Sequence, residues 1–211
     1  MIYFQKLATS PEVKHQKYLN STAILSVTNL IRNVVVDNKT ASNYYPVHAF
    51  GQMVPSKQNK LHSEFIPYLS HALRNAVSEG DSHQIQVYIR ALGNLGSPSI
   101  LNVFEPYLEG QSPMSTFQRT LIVVSMDKLA KLFPAVAQPV LFKIYENVGE
   151  AHPVRCAAVF QLMYTYPSAT LLQRMAYFTH VDPSYQARAA VKSAIQSAAL
   201  LEPTNPAIAS L

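Results

Sequence analysis

The sequence predicts an all-α protein, a superhelical α-solenoid (an arch) built from antiparallel, HEAT-like helix pairs. Apolar residues recur with helical spacing from about residue 61 onward, and the alternation and tight hairpin turns typical of strands are rare. Prolines separate the two helices of successive pairs at spacings of 36, 33 and 36 residues, namely Pro98, Pro134, Pro167 and Pro203. A helix pair that recurs every 33–36 residues is typical of a solenoid.

Residues 81–108 show the pattern of one repeat. Asp81 or Ser82 is a suitable N-cap, and the apolar side chains that follow lie at the i, i+3, i+4 and i+7 positions of one helix face. Gly96 suits the left-handed position that ends a helix, and Pro98 suits the first turn of the next one. Two apolar helices joined by such a short link are expected to lie antiparallel. We therefore assign Gly96 and the four inter-helix prolines as structural turns.

The other helices are predicted from the same pattern. An amphipathic helix is expected in residues 16–36, with a stripe formed by Leu19, Ala23, Ser26 and Leu30, and the polar residues 37–60 are expected to connect it to the repeats. The remaining helices are expected at 61–80, 115–133, 134–149, 153–166, 167–181 and 183–202. This gives two regions: a basic N-terminal helix plus polar loop at 1–60, and the solenoid at 61–211.

Charge is scarce and unevenly distributed. Charged residues make up 14% of the chain, against about 25% in typical globular domains. Either other polar residues replace them, or another domain or lipid covers part of the surface. Residues 1–60 hold seven of the 17 Lys and Arg residues and two of the 12 Asp and Glu residues, so the net charge of +5 lies there. No two basic residues are adjacent, so no nucleic-acid partner is expected.

No catalytic or metal site is predicted. The seven histidines lack helical metal-site spacing, and neither a glycine-rich phosphate loop nor a nucleophile elbow occurs. Cys156, the only cysteine, lies in an apolar helical setting and is expected to be structural. We therefore expect a protein that is not an enzyme and needs no cofactor. No apolar run is long enough to span a membrane, and the first ten residues lack a secretory signal core.

Arg155 and the last predicted helix are candidates for contacts between repeats. A cation in the first turn of a helix is not favoured by the helix dipole. Arg155 is therefore expected either to reach a carboxylate or carbonyl of the neighbouring repeat or to be solvated. The alanine-rich face of residues 187–198 favours a close helix–helix seam over a ligand groove. Two sequons occur, and Asn38 in the loop is a better glycosylation candidate than Asn20 within a helix.

Three segments, residues 81–110, 152–167 and 182–202, resemble successive parts of the α-helical domain of insect-type vitellogenins. The resemblance extends over about residues 44–202. It places the chain among the large lipid transfer proteins and implies an arch that scaffolds the β-sheets of a lipid cavity. It also implies a secreted lipid-transport and yolk-storage protein, carried from haemolymph to oocyte, with lipid as cargo and an uptake receptor bound through other domains.

This chain departs from the complete family pattern. It has no signal peptide, N-terminal barrel or cavity sheets, and its apolar-leaning end "PTNPAIASL" suggests that the chain continues. We therefore expect a fragment of a larger lipid-transfer module. Two alternatives remain at this stage: a free-standing α-solenoid that scaffolds protein interactions, and membrane association through the basic N-terminal helix.

Overall fold

The computed structural model describes residues 10–34 and 61–201, and every regular element within these ranges is a helix. The predicted all-α class is thereby confirmed for this part of the chain. Two compact units form, Met1–Pro113 and Met114–Leu211. The division at residue 60 stays a prediction.

In the first unit, the described residues form five helices, and a π-helical turn at Leu61–Phe65 leads into the third. Their bounds are α1 Pro11–Lys14, α2 Lys17–Val34, α3 Ile66–Glu79, α4 Ser82–Leu95 and α5 Ile100–Leu108. Helix α4 packs against both α2 and α3. Its N-cap is Asp81, whose carboxylate accepts hydrogen bonds from the backbone N–H groups of His83 and Gln84 at 3.0 and 3.1 Å.

Helices α2 and α4 run parallel, as helices of one layer do in a solenoid. Near their first turns, Ser21 Oγ lies 2.8 Å from His83 Nε2, and further along Asn94 Nδ2 donates to Thr28 Oγ1 at 3.2 Å. These polar contacts rotate α2 away from the predicted orientation. The predicted stripe is wrong except for Ala23, because Leu19, Ser26 and Leu30 are exposed. The buried face instead includes Asn20, Ser21, Ile24, Val27, Thr28 and Ile31.

In the second unit, α9 is the central helix and packs against α6, α7, α8 and α11. The bounds are α6 Thr116–Val124, α7 Asp127–Leu132, α8 Pro134–Glu146, α9 His152–Met163, α10 Ala169–Phe178 and α11 Tyr185–Leu201. Helices α6 and α9 run parallel, because Arg119 in α6 pairs with Glu150 just before α9, and Gln161 near the end of α9 reaches the last residue of α6.

The single helix predicted over residues 115–133 is broken at Ser125 and Met126, between α6 and α7. The carbonyl of Val124 accepts a hydrogen bond from Gln161 Nε2 at 3.2 Å, so a side chain of α9 satisfies a group that the ending helix leaves free. A partner 37 residues away cannot be recognised from local periodicity.

Helix α11 packs its small residues against α9. The buried positions are Ala187, Ala190, Val191 and Ala194. Small side chains allow two helix backbones to approach closely, and the predicted alanine-rich seam is confirmed for these four positions, whereas Ile195 of the same face is only half-buried.

Candidate functional site

Arg155 is the centre of a buried polar network between neighbouring helix pairs. Its side chain is 1% exposed, and it leaves the first turn of α9 toward the turn before α11. Nη1 and Nη2 donate to the two carboxylate oxygens of Asp182 at 3.0 and 2.5 Å, and Nε donates to the carbonyl of Tyr145 at 2.9 Å. The Tyr145 hydroxyl in turn donates to the carbonyl of Met175 at 3.1 Å. The network joins α8, α9, α10 and the turn that starts α11.

The electrostatics of the network favour the ionised pair. Burial by itself would raise the pKa of Asp182, but hydrogen bonds from Arg155 and from the Ser184 backbone N–H outweigh it, and the pKa is lowered. Burial raises the pKa of Tyr145, so its phenol stays a hydrogen-bond donor. A guanidinium buried in this way is not accessible to a substrate. The network is a structural cross-link.

The assigned turn residues occupy the ends and links of helices. Gly96 has φ 56° and ψ 31°, the left-handed conformation that glycine adopts without strain. Pro98 lies in the link between α4 and α5, Pro134 is the first residue of α8, and Pro167 lies between α9 and α10. Pro203 lies outside the described residues.

The two sequons fall in different surroundings. Asn20 is 5% exposed and lies inside α2, on the side that faces α4. A buried asparagine within a helix is a poor site for a bulky glycan. Asn38 lies outside the described residues, so its modification stays a prediction.

The contact between Ser21 and His83 was not predicted from the sequence. The two residues are 62 positions apart, and only the parallel packing of α2 and α4 brings them together. Ser21 is 7% exposed and its hydroxyl also bonds to the carbonyl of Lys17 at 2.9 Å. A nucleophilic serine needs access to substrate and an oriented base. Buried between helices, this serine links α2 to α4 instead.

Neither the lone cysteine nor the described His, Asp and Glu side chains form a site for catalysis or metal binding in the part of the chain that the structure describes. Burial raises the pKa of the Cys156 thiol, which disfavours the reactive thiolate. Within residues 10–34 and 61–201, no three His, Cys, Asp or Glu side chains converge in a geometry that could hold a metal ion. In the same part of the chain, no helix is both long and apolar enough to cross a bilayer.

The second unit exposes a group of large apolar side chains where two neighbouring turns meet. Two contacts join these turns: Lys131 Nζ lies 4.5 Å from the centre of the Tyr164 ring, and Gln138 Nε2 donates to Thr165 Oγ1 at 3.0 Å. The exposed side chains, each 37–55% accessible, are Leu132, Phe133, Phe160, Tyr164 and Tyr166. We call these five residues the aromatic rim.

The aromatic rim includes a strained backbone position. Tyr166 has φ 52°, in the left-handed region that costs a non-glycine residue about 1–2 kcal/mol. Such strain is often stored at functional positions. Exposed apolar patches commonly mark interaction surfaces. The aromatic rim is therefore the candidate functional site of the described residues, and it is a surface for contact rather than for chemistry.

Comparisons with known proteins agree with the repeat architecture. A family model described as the vitellogenin TPR domain matches residues 1–196. Vitellogenin-A1 of Aedes aegypti is 51% identical over 94% of this chain, and Vitellogenin-1 of Solenopsis invicta is 46% identical over 94%. The chain spans only 9% and 12% of these two relatives.

A solved structure described as lipid–protein interactions in lipovitellin matches with a TM-score of 0.67. The match covers 92% of this chain and 21% of that chain at 18% identity, so it bears on the fold alone. The description of the family as a TPR domain fits the spacing of 33–36 residues, because TPR helix pairs recur about every 34 residues. The resemblance inferred from the three repeat segments is confirmed: the chain belongs to the vitellogenin TPR domain family.

Proposed function

We propose that this chain is the helical scaffold of a larger secreted protein that transports lipid and stores yolk nutrients. It holds lipid-cavity β-sheets of the parent chain by burying apolar surface, and it performs no catalysis. The observation that carries the proposal is the aromatic rim, five large apolar side chains exposed on the second unit of a chain that spans only about a tenth of its relatives' length.

Physical chemistry supports a covering partner. Phe160 lies in α9 and Tyr164 is the residue that caps its end, four positions later, and each is about half exposed. Covering one large apolar side chain contributes about 1.5–3 kcal/mol. A partner that covers the aromatic rim would also account for the low charge content of the sequence. Phospholipid and neutral lipid would be cargo of the complete protein, and uptake by a receptor would use its other domains.

The alternative, a free-standing α-solenoid for protein interactions, is not favoured. The two relatives are roughly ten times the length of this chain, and the family match covers nearly all of it. In a protein of that length, the other domains of the same polypeptide are the nearest partners for the exposed apolar surface of this chain.

A chimera tests the proposal. Residues 1–196 replace the matching segment of Aedes aegypti Vitellogenin-A1 in insect cells, and the secreted protein and its lipid content are measured. We expect secretion of a lipid-loaded chimera. Phe160→Asp with Tyr164→Asp is expected to lower both quantities, whereas Phe117→Asp, an exposed aromatic residue outside the aromatic rim, is the matched control. Equal secretion and lipid content in all three chimeras would refute the proposed role of the aromatic rim.

A further inference from the structure

A second feature of the second unit is a groove of about 550 Å³ between α10 and α11. One wall comes from the end of α10 and the turn after it, and the other is a stripe of α11. The polar lining residues are Thr179, His180, Tyr185, Arg188, Lys192 and Gln196. The groove lies beside the seam that joins α11 to α9, and it was not predicted from the sequence.

The charge of the groove has one sign. Arg188 and Lys192 are exposed and stand four residues apart on α11, so their side chains are neighbours on one helix face. The Arg188 guanidinium lies 6.0 Å from the centre of the Tyr185 ring. No Asp or Glu lines the groove among the described residues. Asp182 does not line the groove: its carboxylate is buried and bonded to Arg155, and the nearby Arg188 cation contributes to lowering its pKa.

The remaining residues that line the groove are apolar. They are Ala176 of α10 and Ala189, Val191 and Ile195 of α11. A free inorganic anion gains nothing from contact with apolar side chains, whereas an acyl chain buries apolar surface against them. Two neighbouring cations match a phosphomonoester, which carries about −1.5 to −2 charges at neutral pH. The flanking His180 can donate a further hydrogen bond to its oxygens.

We propose that the groove between α10 and α11 binds the head group of a phosphomonoester lipid of the phosphatidic acid class. The phosphate lies between Arg188 and Lys192, and the first part of the acyl chain lies on the apolar residues that line the groove. The proposal rests on the proposed function only in taking lipid as the cargo, and it adds a lipid contact within the helical domain itself.

Vesicle flotation with the purified 211-residue chain tests the groove. The vesicles contain phosphatidylcholine alone, or phosphatidylcholine with either phosphatidic acid or phosphatidylserine. We expect strongest binding with phosphatidic acid. Arg188→Gln with Lys192→Gln is expected to weaken that binding roughly 25-fold, since each cation near an anionic surface contributes ~1 kcal/mol and 1.4 kcal/mol is tenfold. Ala189→Glu, which places a carboxylate on the exposed wall, is expected to weaken it as well.

The matched control, Lys17→Gln with Lys143→Gln, removes the same charge from two exposed positions outside the groove. Binding unchanged by this control supports the proposal. Equal losses in both double variants, or equal binding to phosphatidylserine, would indicate general adsorption and overturn it. Full competition by inorganic phosphate, or tighter binding of a phosphoserine peptide, would also overturn it. Absence of vesicle binding would refute the proposal that the groove binds lipid. It would leave the scaffold role untouched, because that role is tested separately by secretion of the chimera.

Discussion

Arg155 and Asp182 form a two-point ion pair in which both side chains are almost wholly buried. Arg155 stands at the start of α9, and Asp182 precedes α11 by three residues. The pair therefore fixes one helix pair to the next by a directional contact.

Removal of one partner of this pair should destabilise the fold strongly. Asp182→Ala leaves the Arg155 guanidinium buried without its carboxylate, and such a change costs about 3–5 kcal/mol. Urea denaturation followed by circular dichroism measures the loss. Glu146→Gln is the control, because its pair with Arg174 is largely exposed and exposed pairs contribute about 0–1 kcal/mol. Similar losses in both variants would contradict the buried role of the pair.

The same pair predicts a dependence of stability on acid. The folded-state pKa of Asp182 lies below its unfolded value of about 3.9. Its contribution is therefore fully present above the unfolded pKa and is lost as pH falls through the folded pKa. Urea midpoints measured across this acid range should fall more steeply for the unmodified chain than for Asp182→Asn. Parallel curves would show that Asp182 titrates alike in both states.

Gly80 should resist substitution because of its backbone conformation. It ends α3 with φ 70° and ψ 17°, and a Cβ placed there would meet nothing within 4 Å. Gly80→Ala should therefore cost about 1–2 kcal/mol through strain alone. Gly80→Asn should cost less, because asparagine tolerates the left-handed region. Thermal unfolding distinguishes the two variants, and an alanine variant as stable as the parent would rule out the strain.

The seam between α9 and α11 should reject a larger side chain. Ala190 is 8% exposed within this seam, so Ala190→Leu should cost about 1–3 kcal/mol through overpacking. The adjacent Ala189 is exposed, and Ala189→Leu should stay within about 0.5 kcal/mol of the parent. Denaturant midpoints of the two variants test the prediction. Equal midpoints would mean that the seam is loosely packed.

Helical periodicity and turn residues were enough to predict the helices. They were not enough where contacts between residues distant in the sequence determine which face of a helix is buried. The class, the link at Pro98 and the alanine seam follow from periodicity and turn chemistry, which depend on near neighbours. The buried face of α2 could not be predicted in this way, because Thr28 faces α4 through its bond to Asn94, 66 residues away. A prediction based on hydrophobicity places such polar residues on the solvent-exposed face.

The partner of Arg155, the aromatic rim and the groove could not be identified from the sequence for a related reason. An acceptor for Arg155 was expected as one of two alternatives, but Asp182 is 27 residues away and nothing in its own segment marks it as the partner. The aromatic rim combines residues from two turns, so no single segment shows it. The pair Arg188 and Lys192 is a basic i, i+4 stripe in the sequence, but the groove beside it forms only where α10 packs against α11.

The short range of the polar cross-links in the second unit bears on how the chain acquires its structure during synthesis. The contacts of Arg119 with Glu150, Tyr145 with Met175, Arg155 with Asp182 and Gln161 with Val124 join residues 27–37 positions apart. Each closes as soon as the next helix pair leaves the ribosome. Contacts of such short sequence separation favour rapid, stepwise folding. The helical unit can then be assembled helix pair by helix pair as the chain is synthesised.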